Sequence, residues 1–212
     1  MSTKRYTIGG QLVIAERNKS AMGNRPVVKG PLPLWYVRDL PPLQVGDIFA
    51  FKADHGFEQW VVSKQNATTW HYAVAGQSFD ADSFRGPDRE IIGSINKGVA
   101  TELLSAYGYR HMRIYRPKIA KSLGFDQLFL RRCDYYGAYE YNWLGLAETA
   151  IEYYLREFGV KIHLPLSHRF YCIQFVARLW KDFGTYLVND WELATPLDME
   201  QSPNMDRIWG TF

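Results

Sequence analysis

The chain predicts an α+β fold, with strands gathered in its first half and helices in its second. Three observations carry this. Between residues 45 and 117, short runs rich in β-branched and aromatic residues recur between turn signals. From residue 118 onward the apolar spacing moves to the helical period. The strands come as a block and do not alternate with helices, which argues against a βαβ arrangement.

Residues 1–43 read as a basic N-terminal arm and residues 44–212 as the domain proper. Gly9-Gly10, Gly23-Asn24, Gly30-Pro31 and Pro41-Pro42 interrupt the arm too often for long elements, leaving QLVIA and LWYV as short strands or anchors. VGDIFAF opens the body, where Gly46 supplies a turn and DIFAFK a strand. WVVSK (60–64), TTWHYAVAG (68–76), REIIGSI (89–95) and HMRIYRP (111–117) read as further strands, with a polar loop from Gln77 to Asp88. KIAKSLGFDQLFLRRCDYYG (118–137) and WLGLAETAIEYYLREFG (143–159) read as helices. In HRFYCIQFVARLWKDFG (168–184), Phe175, Val176, Leu179, Trp180 and Phe183 follow Cys172 at helical offsets, and Gly184 is a natural stop. A short TPLDMEQ segment comes last.

At 212 residues, with 47% apolar and 22% charged residues, the chain has the length and composition of one globular domain with a real core. Its 14 tyrosines and 7 tryptophans imply burial by large rings with polar tips. The net charge of +3 is uneven: residues 1–40 hold seven Lys or Arg against two acids, and the rest holds 18 bases against 20 acids. The arm therefore reads as a solvated tail, with an acidic partner or a larger assembly as the functional alternative. No specific nucleic-acid signal accompanies it. Cys133 and Cys172 are the only cysteines, which excludes a disulfide framework and a CxxC zinc site. No GxGxxG, P-loop or GxSxG occurs, and no acid–histidine spacing suggests a metal, so neither cofactor nor metal is expected. The start MSTKRYTIGGQLVIAERNK has no apolar h-region, and no run approaches the ~18 apolar residues of a membrane span. The expectation is a chain without signal peptide or transmembrane segment, cytoplasmic at synthesis, carried in a virion or released by lysis if it acts outside the cell.

The chemistry centres on Cys172 and His71. Along TTWHYAVAG, Trp70, Tyr72 and Val74 share one face, and His71, Ala73 and Ala75 the other. A helix laid close on the second face would bring the thiol to the imidazole. A thiol at a helix N-terminus feels the macrodipole, and an adjacent imidazolium adds positive charge; both favour the thiolate nucleophile. The histidine then serves as acid and base, and the first-turn N–H of Cys172 can donate to an oxyanion. The bland alternative is that cysteine acts as a small buried hydrophobe. Cys133, in RRCDYYG, is read that way. His55, His111, His163 and His168 are weaker candidates.

Taken in order, VGDIFAF (45–51), WHYAVAG (70–76), REIIGSINKGV (89–99), YGAYEYNWLG (136–145), FYCIQFVARLWKDFG (170–184) and TPLDMEQSP (195–203) resemble the circularly permuted NlpC-type cysteine hydrolases, nearest the YiiX-like branch of these papain-like proteins. The likeness spans about residues 43–203. It implies a permuted papain-like fold, with an antiparallel sheet packed against the helix that carries the cysteine. It also implies Cys172 as nucleophile, His71 as base, and Asp47 as a residue fixing the turn or the cysteine helix. Tyr139-Glu140 matches a structural pattern of the family. One departure stands out. The family usually carries a polar residue on the strand after the histidine to orient the imidazole, and Gly93 occupies that position here. Ser94, Asn96 and Glu90 are the nearest substitutes, and face parity turns all three away unless a bulge shifts the register.

The implied activity is hydrolysis of an amide in a peptide substrate, as in a phage or bacterial peptidoglycan peptidase. YCIQFV also resembles the cysteine segment of the lecithin retinol acyltransferase family, implying a lipid or thioester acyltransferase or thioesterase as an alternative. A catalytically weak structural member, docked in a virion or envelope assembly through its arm, is the other.

Overall fold

The computed structural model of the chain describes residues 3–8, 11–16, 27–29, 40–54, 56–76, 90–95, 98–107, 110–137, 140–141, 169–210 and 212. In chain order the strands are β1 (Thr3–Ile8), β2 (Gln11–Glu16), β3 (Val27–Lys29), β4 (Ile48–Lys52), β5 (Thr69–Ala75), β6 (Glu90–Ile95), β7 (Gly98–Leu103), β8 (Met112–Pro117), β9 (Glu140–Tyr141), β10 (Arg169–Phe170) and β11 (Met205–Gly210). The helices are α1 (Gly56–Lys64), α2 (Phe125–Tyr136), α3 (Cys172–Asp182) and α4 (Pro196–Glu200).

The α+β class holds. Strands β7-β6-β5-β4-β8-β11 pair antiparallel in that order. Three strands from residues 1–43 extend the same sheet: β3 pairs parallel with β7, β2 pairs antiparallel with β3, and β1 pairs antiparallel with β2. QLVIA is thus a strand, in β2. LWYV, the 77–88 loop and the 143–159 helix lie outside the described residues.

Two expectations change. WVVSK is the end of a helix, α1. Its valines, Val61 and Val62, are both buried and its Ser63 and Lys64 both exposed, which is not the alternation of a half-buried strand. Packing of Val62 with Ala53 and Ala67 outweighs the β preference of a branched side chain. The helix predicted from residue 118 begins only at Phe125, because Gly124 takes φ +80 and stops any earlier turn. β7 and β11 are strands the sequence pattern did not single out.

The sheet carries a different cluster on each face. On one, Ile48, Ala50, Tyr72, Val74, Ile92 and Val99 pack under α3, whose Phe175, Val176, Leu179 and Trp180 are fully buried. Each such side chain contributes about 1.5–3 kcal/mol of apolar burial. Trp180 meets the rings of Phe125 and Phe129 at 5.8 and 5.2 Å. It also lies over Gly46, where a Cβ would stand 2.6 Å from the indole; the backbone there has φ +89, so the turn needs glycine twice over. On the opposite face, Phe49, Phe51, Ala73, Ala75 and Ile91 join Leu104 and Tyr107 of a 3-10 turn, Leu104–Tyr107.

Polar contacts pin the ends. Asp47 accepts from the Gln44 N–H at 2.8 Å and holds Arg116 through both carboxylate oxygens, at 2.9 and 2.7 Å. These contacts hold the turn that leads into β4. Thr195 and Asp198 form a capping box at α4, and Glu200 at its end accepts the N–H groups of Thr68 and Thr69 at 2.8 and 2.7 Å. The start of β5, just before His71, is thereby tied to α4. Among the described residues, no helix is long and apolar enough to cross a membrane.

Candidate functional site

Cys172 is the first residue of α3. The two-residue strands β9 and β10 pair parallel immediately before it and lie against β7. Tyr171, buried at the N-cap, makes no side-chain cap and sends its hydroxyl to the Ala194 carbonyl at 2.7 Å. The helix start is therefore held from outside, and no side chain of the N-cap residue covers its first-turn N–H groups. Such groups and the macrodipole make an electropositive setting for the Cys172 sulfur.

The packing differs from the sequence expectation in one respect. α3 lies on the Tyr72/Val74 face of β5, not on the His71/Ala73/Ala75 face. The physical reason is volume: the amphipathic helix buries large apolar side chains against large ones, while Phe49, Phe51 and Tyr107 fill the space beside the alanines. The thiol and imidazole are still in hydrogen-bond contact, beside an interruption in the sheet. Between β4 and β5 a bulge makes Trp70 the extra residue: Phe51 pairs with His71, and Lys52 with Thr69. Between β5 and β6 the pairing begins only at Ala73 and Gly93. The Cys172 thiol points to the Trp70 carbonyl at 3.6 Å, one residue from His71.

His71 is only 11% exposed. Its ring stacks with Tyr107, centroids 5.3 Å apart and planes within 10°, and with Phe51 at 5.8 Å. Nε2 lies 3.2 Å from the Tyr107 hydroxyl and 3.8 Å from Glu102 Oε2. The Tyr107 hydroxyl donates to Glu102 Oε2. A hydroxyl that donates to the carboxylate must accept from the ring, so Nε2 carries a proton. Burial pulls the imidazole pKa down, but hydrogen bonding to Cys172 and to Glu102, with the charge of both, pushes it up to about 10.

Glu102 and Tyr107 are the polar side chains at His71 that the sequence reading did not single out. Glu102, on β7, is fully buried. In register Glu102 faces Ile91 and Ala100 faces Gly93, so all four share the His71 face. Gly93 is the position at which the resemblance expects a polar side chain. A Cβ there would stand 2.9 Å from Glu102 Oε1 and 3.3 Å from His71 Nε2. The carboxylate of the next strand over fills that space. The available signal was a single acid inside the apolar run GVATELLSAY, five residues before a tyrosine.

The remaining candidates fall elsewhere. Cys133 is fully buried in α2, outside any disulfide, in the apolar cluster with Phe129 and Tyr136. His111 is exposed, edge-on to the Phe212 ring at 6.5 Å. Ser94 is buried on the face away from His71. His55, Asn96, Tyr139, His163 and His168 lie outside the described residues. Among the described residues, no group of three or more His, Cys, Asp and Glu is placed to hold a metal ion. No protein-family model matches the chain, and no curated protein matches it.

Proposed function

We propose that the chain is a thiol hydrolase of the permuted papain-like, NlpC-type kind, cleaving an amide bond in a peptide substrate through Cys172 and His71. The observation that carries this is the thiol at the head of α3 beside an imidazole backed by Tyr107 and Glu102. With Nε2 engaged by Tyr107 and Glu102, Nδ1 is the nitrogen left to face the thiol.

The reaction follows from these groups. His71 takes the thiol proton as the Cys172 sulfur attacks the carbonyl carbon. First-turn N–H groups of α3 stabilise the oxyanion. His71 returns its proton to the leaving amine as the C–N bond breaks, leaving a thioester on Cys172. Water, deprotonated by His71, attacks the thioester; the acid departs and the thiol is restored. Peptidoglycan stem peptides, in a bacterial or phage setting, are the substrate class the resemblance favours.

The test is mass spectrometry of the protein incubated with stem peptides and with thioester and lipid acyl donors. The expected result is an acyl adduct on Cys172 from peptides, with hydrolysis abolished in Cys172→Ala while the circular dichroism spectrum is kept. Acylation by thioester or lipid donors alone would assign acyl transfer instead. Hydrolysis at an unchanged rate in Cys172→Ala would sink the thiol mechanism.

A further inference from the structure

We propose that Glu102 is the positioning residue of the site: its carboxylate, passing over Gly93, holds His71 protonated at Nε2 with Nδ1 turned to the thiol. This assignment rests on the reading of His71 as the partner of Cys172. Four observations support it.

First, Glu102 is a fully buried acid in the middle of a sheet, and a carboxylate there needs a partner of opposite charge. His71 Nε2 is 3.8 Å away. Second, the Tyr107 hydroxyl hydrogen-bonds both groups, donating to Oε2 and accepting from Nε2. That arrangement has one proton order if Glu102 is a carboxylate. Third, Oε1 is the oxygen that faces Gly93, 2.9 Å from where a Cβ would be. Any side chain at 93 would enter the space between carboxylate and ring. The glycine is thus an opening through which an acid from β7 acts on a histidine of β5, with β6 in between. Fourth, rotation of the ring is restrained by the stack with Tyr107 and Phe51, so the charge at Nε2 acts on a ring already fixed in plane.

The experiment is NMR titration of the His71 imidazole in wild type, Glu102→Gln, Tyr107→Phe and Gly93→Ala. Glu102→Gln keeps the size and removes the charge; its titration midpoint should fall by about one unit or more. Gly93→Ala keeps every polar group and pushes the carboxylate aside, and its midpoint should fall too. Tyr107→Phe should give a smaller fall. The same comparison is made in a Cys172→Ala background, where the effect of Glu102→Gln should persist. That separates the two claims: an inert thiol with a persisting Glu102 effect refutes the hydrolase alone. A midpoint in Glu102→Gln equal to wild type overturns the assignment. Should Glu102→Gln fail to fold, an unchanged midpoint in Gly93→Ala overturns it.

Discussion

The two faces of β5 are built from alternate residues of one strand, yet they are held together differently. Under α3, Tyr72 and Val74 belong to a broad apolar cluster centred on Trp180 and Phe175. On the other face, His71 stands among Phe51, Tyr107 and a buried Glu102. The first face gains its stability from area removed from water, which does not depend on pH. The second sets a histidine 3.8 Å from a buried acid, an arrangement whose stability does depend on pH. The difference teaches that the α3 face holds the cysteine helix by apolar packing, while the His71 face surrounds the imidazole with rings and a buried acid. Perturbing one should leave the other largely intact.

The largest effect is expected from the apolar face. Trp180→Ala should lower the unfolding free energy by about 3–5 kcal/mol, read by urea denaturation. In the folded fraction the His71 titration should not move. Next comes the charged face, tested with pH alone. The folded-state pKa of His71, about 10, lies above the unfolded value of 6.5. Its contribution is therefore fully present below about pH 6.5 and is lost as pH rises toward about 10. Denaturation across that window should show stability falling by a few kcal/mol, and His71→Gln should flatten the slope.

A smaller effect is expected at Gly46, where the turn passes beneath Trp180. Gly46→Ala introduces a methyl against the indole and strains a positive φ, and should cost about 1–3 kcal/mol in the same assay. The smallest belongs to the cap of α4. Thr195→Ala breaks the capping box and should cost about 1 kcal/mol by thermal unfolding, with no change at His71.

What the sequence makes legible is what local periodicity encodes. The alternation in TTWHYAVAG and the helical spacing after Cys172 each identify an element and its faces, and both elements are found where the pattern puts them. The cysteine at the first residue of its helix was readable for the same reason. Failures arise where the deciding contact is distant. WVVSK has the composition of a strand and becomes helical because Val62 packs against Ala53 and Ala67. The face chosen by α3 was misjudged because small residues beside His71 looked like a landing site, whereas the helix needed large apolar partners. Glu102 was invisible as a partner of His71 because their approach depends on the registers of two strand pairs and on an absent side chain between them. Gly93, read as a missing group, is the space that another strand's acid fills.

The most direct test of the Cys172–His71 pair is the rate of iodoacetamide alkylation at Cys172, located by peptide mass mapping, at about pH 6 in wild type and His71→Ala. If the imidazole activates the thiol, the wild type should react about tenfold faster or more than the variant. Equal, slow rates in the two proteins would contradict the account and leave Cys172 as a packing residue at the head of its helix.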